Sequence, residues 1–152
     1  MFQLDKLLTP ALTFCAVQGA SKKRVIETAS EKICAEHPEL ESAELYSNLL
    51  AREKLGSTAL GEGIAIPHCR LSTCRSPVVA LMTLQEPVDF DALDGAPVDI
   101  LFFLTVPEEA TQEHLNILAG LAQLLNEARF RDALRAAADR DALYRSAIEF
   151  EP

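Results

Sequence analysis

The sequence predicts an α/β fold in which a central mixed sheet is covered by helices on both faces. Strand-like and helix-like stretches alternate in blocks, with helices toward both ends of the chain. Two continuously apolar, β-branched runs, Val78–Leu84 and Val98–Val106, are typical of strands buried on both faces. The length of 152 residues suits a single domain over residues 1–152 that folds without a disulfide or a metal.

Composition and charge narrow the class of protein. The chain is 49% hydrophobic and 24% charged, which is ordinary globular make-up. Fourteen Lys and Arg against 23 Asp and Glu give a net charge of -9. This balance argues against nucleic acid and against a polybasic grip on anionic membrane, since both depend on clustered cations. No apolar run approaches the ~18 residues of a membrane span, so no membrane insertion is expected.

The first third of the chain predicts one strand and two helices. The strand is expected around Leu12–Val17. Ser21 is placed to cap a helix over Lys22–Ala35, whose apolar residues recur at the spacing of one helical face. Ser42 is placed to cap a second helix, and Gly56 is placed to end it.

The middle of the chain predicts a loop, short extended segments and a turn. Small residues at Ser57–Gly63 predict a loop that leads into an apolar run, Ile64–His68. Pro67 must end that run or leave it at a sheet edge, because proline cannot donate to a ladder. Val88–Phe90 is consistent with a short strand, and Asp94–Gly95 is a strong turn signal.

Three helices are predicted after the second buried strand, which Pro107 stops. Thr111 is expected to open the longest helix. Its apolar stripe comprises Leu115, Leu118, Ala119, Ala122 and Leu125, widened by Ile117, Leu121 and Leu124. A further helix is expected over Arg129–Ala138, and a last one is capped by Asp139.

The cysteines predict reduced thiols and a cytoplasmic location. They are Cys15, Cys34, Cys69 and Cys74. No CxxC spacing occurs, and a chain with a full-sized core needs no disulfide framework. The apolar segment Leu7–Val17 lacks the positive flank of a secretory signal and is broken by Pro10.

The three histidines have different settings. His37 lies at a predicted helix end, where a solvated residue is expected, and His114 lies in the first turns of a helix, where packing or surface exposure is expected. His68 differs because it follows Pro67 at the end of an apolar strand, just after the small-residue loop. Functional residues concentrate where rigid strands meet loops.

Several site chemistries fit this sequence poorly. His68, Cys69 and Cys74 form the one compact soft-ligand cluster, but a structural zinc site needs four ligands in paired spacings, so no metal site is predicted. No G-x-S-x-G surrounds a serine, which argues against a hydrolase elbow. No G-x-x-x-x-G-K-[ST] is present, which argues against autonomous ATP chemistry.

The remaining hypothesis is that His68 is a covalent nucleophile. A neutral imidazole attacks phosphorus well near pH 7, because its reference pKa is about 6.5. Such chemistry needs no metal if cations and N–H groups hold the phosphoryl oxygens. The small-residue loop, Arg52 and His114 are available for that task.

Two stretches of this sequence resemble a known family. They are Arg52-Glu53-Lys54-Leu55-Gly56-Ser57-Thr58 and Gly61-Glu62-Gly63-Ile64-Ala65-Ile66-Pro67-His68. Together they resemble the signature of the type-2 IIA domains of the bacterial phosphoenolpyruvate-dependent phosphotransferase system, which include fructose-, mannitol- and nitrogen-regulatory types. The segments that look like the nitrogen-regulatory branch are Ser21–Arg24, Val88–Ala92, Pro97–Phe102 and Val106–Pro107. The resemblance covers nearly the whole chain.

The resemblance implies a three-layer α/β/α sandwich and an active site without metal or cofactor. It implies that His68 accepts the phosphoryl group as a tele-phosphohistidine, and that the donor is a small phosphocarrier protein of the HPr type. His114 matches the second active-site histidine of the family, and Arg52 matches its arginine. Ser57 and Thr58 lie in the loop that is expected to line the phosphoryl site.

Cys69 departs from the family pattern, in which glycine is expected most often. It places a thiol beside the nucleophile, either as a tolerated small residue or as a redox-sensitive one.

Three functions remain open at this level. A nitrogen-regulatory IIA protein signals through its phosphorylation state, as a phosphoryl-accepting regulator more than a turnover enzyme. A sugar-specific IIA component instead passes the group to a IIB domain. The third function is a binding module that has lost phosphotransfer, against which the joint presence of His68, His114 and Arg52 argues. The chain carries no visible linker to a IIB or IIC domain, which favours the regulatory interpretation.

Overall fold

The computed structural model describes residues 2–152 and shows a sheet between two helical layers. Its strands are β1 (Thr13–Val17), β2 (Ala59–Gly61), β3 (Ile64–Ala65), β4 (His68–Leu71), β5 (Val78–Val88) and β6 (Val98–Pro107). Its α-helices are α1 (Lys22–Glu36), α2 (Ser42–Leu55), α3 (Gln112–Leu125), α4 (Ala128–Ala136) and α5 (Arg140–Ile148). Two short 3-10 helices, Leu4–Lys6 and Pro10–Leu12, precede β1.

The sheet is mixed, as predicted. Its order is β1-β5-β6-β3-β2, and β4 pairs with β6 beyond the end of β3. β5 and β6 are antiparallel, whereas β1 runs parallel to β5 and both β3 and β4 run parallel to β6. The two strands predicted from apolar runs therefore form the centre of the sheet.

Apolar side chains from β5 and β6 enter a core on each face of the sheet. Along β5, Ala80 and Met82 pack under α1 and α2, while Val79 and Leu81 pack under α3, α4 and α5. Side chains alternate between the faces of a strand, so a strand covered on both sides must be apolar throughout. The α/β/α sandwich is thereby confirmed.

The predicted run Ile64–His68 is divided before Pro67: β3 ends at Ala65, and His68, expected at the end of the strand, begins β4 instead. Pro67 interrupts an extended path that resumes as β4, and both pieces follow β6 in parallel, with Ile64 opposite Ile100 and His68 opposite Leu104. The Pro67 carbonyl still accepts a hydrogen bond from the Leu104 N–H, at 3.0 Å. The proline removes one donor without turning the chain away, so His68 begins a strand.

The predicted loop Ser57–Gly63 contains β2, which forms an antiparallel hairpin with β3. The turn of this hairpin has positive φ at Glu62 (58°) and Gly63 (79°). A Cβ at position 63 would also lie 2.5 Å from Nη2 of Arg135, which would have to move aside, so the turn favours glycine chiefly for its positive φ.

The segment predicted as a separate short strand, Val88–Phe90, is divided differently. Val88 closes β5, and Phe90 follows the strand as a buried residue. The turn predicted at Asp94–Gly95 is present, because the Gly95 N–H donates to the Ala92 carbonyl at 3.0 Å and φ of Gly95 is 74°.

Most helix boundaries agree with the predictions. Ser21 accepts from the Arg24 N–H at the start of α1, and Asp139 accepts from the Ala142 N–H at the start of α5. The cap of α2 is one residue earlier than predicted, because the Glu41 carboxylate takes that position and Ser42 is the first helical residue.

Other boundaries shift by small amounts. β1 begins at Thr13, α1 extends to Glu36, and α4 ends at Ala136, where Ala137 takes an extended conformation. α1 has 15 residues and α3 has 14, so the prediction that Thr111 opens the longest helix is wrong.

α3 faces the core with part of the predicted stripe, together with His114. Its buried residues are His114, Ile117, Leu121 and Leu125. Leu115, which was placed at the start of the stripe, is 55% exposed. Ile117, Leu121 and Leu125 are buried as predicted, whereas Ala119 is exposed like Leu115. The predicted stripe was too wide because α3 is apolar around most of its circumference. No helix of the described chain is long and apolar enough to cross a membrane.

Candidate functional site

His68 is the first residue of β4 and is half-buried. Cys69 and Leu71 point into the core under α1 and α2, so the alternation of the strand turns His68 and Arg70 to the opposite face. Nδ1 of His68 lies 2.7 Å from the carbonyl oxygen of Ile66. A carbonyl can only accept, so Nδ1 carries the proton and Nε2 keeps its lone pair.

The surroundings of His68 favour the neutral ring. Burial is the main cause that lowers the pKa of His68, and the positive charge of Arg52 lowers it further. The hydrogen bond to Ile66 and the charge of Glu53 oppose this shift without reversing it. The ring is therefore neutral and nucleophilic at Nε2 near pH 7.

His114 meets His68 from the opposite layer. The two ring centroids are 5.3 Å apart and the ring planes are inclined by 78°. His114 is 7% exposed. Burial lowers its pKa most, followed by the repulsion that a protonated His68 would exert and by the charge of Arg70. Nδ1 of His114 is enclosed and makes no hydrogen bond within residues 2–152. Nε2 is then the nitrogen with which this ring can serve a ligand.

The two histidines open onto a cavity of about 560 Å³. Its lining residues are Asn48, Ala51, Arg52, Leu55, His68, Cys69, Arg70 and His114. A larger groove of about 770 Å³ lies between the N-terminal segment and α3, but its lining contains no histidine, cysteine or arginine. Because the histidines and arginines line the smaller cavity, we take that cavity as the candidate functional site.

Arginines stand on two sides of this cavity. Arg52 lies in the last turn of α2, where Nη1 donates to the Gly56 carbonyl at 2.9 Å. Arg70 lies on β4, two residues after His68, and its carbonyl accepts from Nδ2 of Asn48 at 2.9 Å. Sequence reasoning missed Arg70, although its i+2 spacing from His68 on a strand was a usable signal.

Ser57 and Thr58 do not line the cavity. Oγ of Ser57 donates to the Phe90 carbonyl at 2.6 Å, and the Thr58 hydroxyl donates to the carboxylate of Glu53. Both hydroxyls thus fasten the loop that follows α2. A phosphoryl-binding role for Ser57 and Thr58 stays a prediction.

Cys69 lies beside the nucleophile but its thiol is withdrawn from it. The residue is 7% exposed, and burial raises the pKa of its thiol to about 12. The thiolate is the reactive form of cysteine, so this setting disfavours reaction at neutral pH.

The arrangement is suited to accepting a phosphoryl group. One imidazole has a fixed tautomer and a free Nε2, a second imidazole is in ring contact with it, and two guanidinium groups border the same cavity. Cations and N–H donors of this kind stabilise phosphoryl oxygens by positioning and charge alone.

Comparison with known proteins gives a consistent result. Residues 6–149 match the family described as phosphoenolpyruvate-dependent sugar phosphotransferase system, EIIA 2. The nitrogen regulatory protein of Pseudomonas aeruginosa is 52% identical over 151 residues, which are 99% of this chain and 98% of that relative.

Solved structures agree with this result. The crystal structure of nitrogen regulatory protein IIA-Ntr from Neisseria meningitidis superposes with a TM-score of 0.88 and 37% identity, over 95% of this chain and 98% of that chain. Mannitol enzyme IIA of Escherichia coli, solved in complex with phosphorylated enzyme IIB, has a TM-score of 0.78 and 21% identity, over 94% and 98% of the two chains. The second likeness speaks for the fold alone.

Proposed function

The chain belongs to the EIIA type-2 family of the phosphoenolpyruvate-dependent sugar phosphotransferase system, and from that premise we propose that it is a nitrogen-regulatory IIA protein phosphorylated on Nε2 of His68. The donor in this proposal is an HPr-type phosphocarrier. The chain acts as one IIA domain in the cytoplasm and regulates target proteins through its phosphorylation state. The similarity to nitrogen regulatory proteins supports this branch over the sugar-specific one.

The observation that carries the acceptor assignment is the hydrogen bond from Nδ1 of His68 to Ile66. As the N–P bond of the donor breaks, a bond from phosphorus to Nε2 of His68 forms. The electron pair of the broken bond stays on the donor's imidazole, and His68 keeps its Nδ1 proton. The Ile66 carbonyl stabilises the positive charge that develops on the His68 ring during this step.

Arg52 and His114 assist this transfer without accepting the group. The guanidinium of Arg52 and the Nε2–H of His114 donate hydrogen bonds to the phosphoryl oxygens and so stabilise their negative charge in the transition state. The lowered pKa of His114 keeps that ring neutral, so it acts as a single N–H donor.

The acceptor is tested by incubating the protein with phosphoenolpyruvate, enzyme I and the phosphocarrier and mapping the product by mass spectrometry. We expect modification of His68, in a linkage that is labile to acid and stable to base, as P–N bonds are. His37→Ala is the matched control, because His37 pairs with Glu39 at the end of α1, outside the cavity. Modification of His68→Ala at the wild-type level would contradict the assignment.

A further inference from the structure

A buried ion pair lies behind the wall of the cavity. Glu53 follows Arg52 in the last turn of α2, and its side chain is 2% exposed. Its Oε1 lies 2.9 Å from Nζ of Lys22, the first residue of α1. Lys22 also pairs with Asp91 at 3.4 Å, but that carboxylate is 76% exposed.

The same carboxylate fastens the loop that leaves α2. Oε1 of Glu53 accepts from the Thr58 N–H at 3.3 Å, and Oε2 accepts from the Thr58 hydroxyl. The hydrogen bonds between Glu53 and Thr58 therefore close a bracket, meaning a loop that encloses the four residues between them. On the far side of the bracket, the Phe90 carbonyl accepts from both Ser57 and Lys22, at 2.6 and 3.4 Å.

Arg52 depends on the bracketed segment for its orientation. Its Nη1 donates to the carbonyl of Gly56, which lies inside the bracket. The position that a Cβ of Gly56 would occupy is open, with no described atom outside the neighbouring residues within 4 Å, so packing on that side does not hold the residue. The position of the Gly56 carbonyl is therefore set by the backbone bond from its own N–H to the Glu53 carbonyl, at 3.2 Å, and by the anchors at Ser57 and Thr58.

Stability alone does not account for this pair. Removing a carboxylate and an ammonium from water is costly, and apolar residues of similar volume often serve a core as well or better. A charged network at this place is better explained by the fixed geometry that it imposes on its neighbours.

We propose that Lys22, Glu53 and Thr58 form a positioning network that aims Arg52 at the phosphoryl group on His68. This inference rests on the proposed phosphotransfer to His68. Lys22, Glu53 and Thr58 make no hydrogen bond to either histidine among the described residues. The charge of Glu53 raises the pKa of His68, so its loss only favours the neutral ring further. The effect on the rate is therefore assigned to the orientation of Arg52.

The test replaces both charges with apolar residues of similar size, in Lys22→Met/Glu53→Met. The half-time of phosphoryl transfer is measured over a range of phosphocarrier concentrations to separate kcat from KM. We expect kcat to fall on the order of 10²-fold, since small misplacements of catalytic groups have effects of this size, with KM unchanged. Glu53→Gln keeps one acceptor oxygen for Thr58, so we expect it to retain more of the rate.

A double-mutant cycle shows whether the network acts through Arg52. In an Arg52→Ala background, Lys22→Met/Glu53→Met should cause no further loss. Asp91→Asn is the matched control, because it removes only the exposed partner of Lys22, and it should transfer like wild type. The inference would be overturned if Lys22→Met/Glu53→Met lowered kcat by the same factor with and without Arg52. It would also be overturned if this variant had the wild-type kcat.

A spectroscopic measurement tests the network without relying on phosphoryl transfer to His68. The Nε–Hε signal of Arg52 in ¹⁵N NMR spectra of the unphosphorylated protein should be shifted from the bulk arginine signals in wild type and should merge with them in the variant. A wild-type protein that takes no phosphoryl group on His68 would refute the proposed function, whereas an unshifted Arg52 signal would refute the network. If the double variant does not fold, Thr58→Val removes the hydroxyl anchor and Thr58→Ser restores it, with the same expected loss and recovery.

Discussion

The two ring nitrogens of His68 have different surroundings, and these surroundings suit the proposed phosphotransfer. Nδ1 donates to a backbone carbonyl two residues earlier, so no other side chain is required to choose the tautomer. Nε2 faces a cavity bordered by arginines, where burial keeps the ring neutral. The extended backbone on either side of Pro67 thus places the Ile66 carbonyl where it fixes the tautomer that the proposed phosphotransfer requires.

The double duty of Arg52 leads to a prediction at this scale. Arg52→Lys keeps the charge, but a single ammonium cannot hold the Gly56 carbonyl and a phosphoryl oxygen with the fixed fork of a guanidinium. We expect phosphoryl transfer to slow by roughly 10²–10³-fold, as for the loss of one transition-state donor. His114→Ala should slow transfer by a similar factor. Rapid-quench measurement of phosphorylated His68 checks both variants, and wild-type rates in both would reduce the two residues to structural roles.

Arg70 leads to a second prediction, because it is the exposed one of the two cavity arginines. A charge at the edge of a site acts mainly on encounter with the donor. Arg70→Gln should raise the KM for the phosphocarrier several-fold and weaken its dependence on salt, with a smaller change in kcat. Arg75→Gln is the matched control, since Arg75 is exposed on the β4–β5 connection outside the cavity. An equal effect of the two substitutions would remove Arg70 from the site.

At the scale of elements, a strand or helix could be predicted from the sequence where its residue pattern is compatible with one structure, and could not where the pattern is compatible with several. The strands β5 and β6 were predictable because their apolar runs are short, rich in β-branched residues and bounded by proline or turn residues, which favours a strand buried on both faces over a buried helix. The path at Pro67 was not, because a proline that ends a strand and one that interrupts it have the same local sequence. His68 was singled out by its position at the end of an apolar run that follows a small-residue loop, and the resemblance added roles for His114 and Arg52. Arg70 and the Glu53 network required knowledge of which strand face and which loop meet the cavity.

The orientation of α3 gives a stability prediction for an element. Leu121 is fully buried under α3 and Leu115 is 55% exposed on the same helix. Leu121→Ala should lower the free energy of unfolding by about 2–5 kcal/mol, the usual result of a large-to-small change in a core. Leu115→Ala should change it by less than about 0.5 kcal/mol. Urea unfolding followed by circular dichroism measures both, and equal losses would support the stripe predicted from periodicity.

At the scale of the whole molecule, the net negative charge of the protein contrasts with the positive charges around the cavity. The chain carries a net charge of -9, yet Arg52 and Arg70 border the cavity. The two arginines place positive charge beside His68 in an otherwise acidic protein, and such charge favours an anionic phosphoryl group there.

The lowered pKa values of His68 and His114 make the stability of the molecule depend on pH. Both rings bind protons less readily in the folded than in the unfolded chain, where the pKa is about 6.5. The unfolded state then takes up more protons as the pH falls below about 6.5, so the folded state loses stability toward the lowered folded values. Urea unfolding at pH 7.5 and 5.5 should show this loss in wild type. His68→Gln and His114→Gln should reduce it, and a loss unchanged in both variants would contradict the shifts.

Phosphorylation should change the binding partners of the molecule without changing its fold. The phosphoryl group adds about -1.5 to -2 charges, by analogy with other phosphorylated side chains. Against a net charge of -9 this acts locally, at a face where Leu55 is 85% exposed beside Arg52. A target held there by apolar contacts should be released, because the new charge is costly to desolvate, and a target that offers arginine or lysine should be gained.

The fold should survive because the groups that receive the phosphoryl oxygens already border the cavity. Amide NMR spectra of both forms should differ near His68 and coincide elsewhere. Pull-downs from native lysate with unphosphorylated protein, phosphoprotein and His68→Ala should give two partner sets, with His68→Ala matching the unphosphorylated form. Identical sets in all three samples would contradict regulation through phosphorylation. They would instead favour a sugar-specific IIA component, whose task is to pass the group to a IIB domain, and transfer to a purified IIB domain would then be the decisive assay.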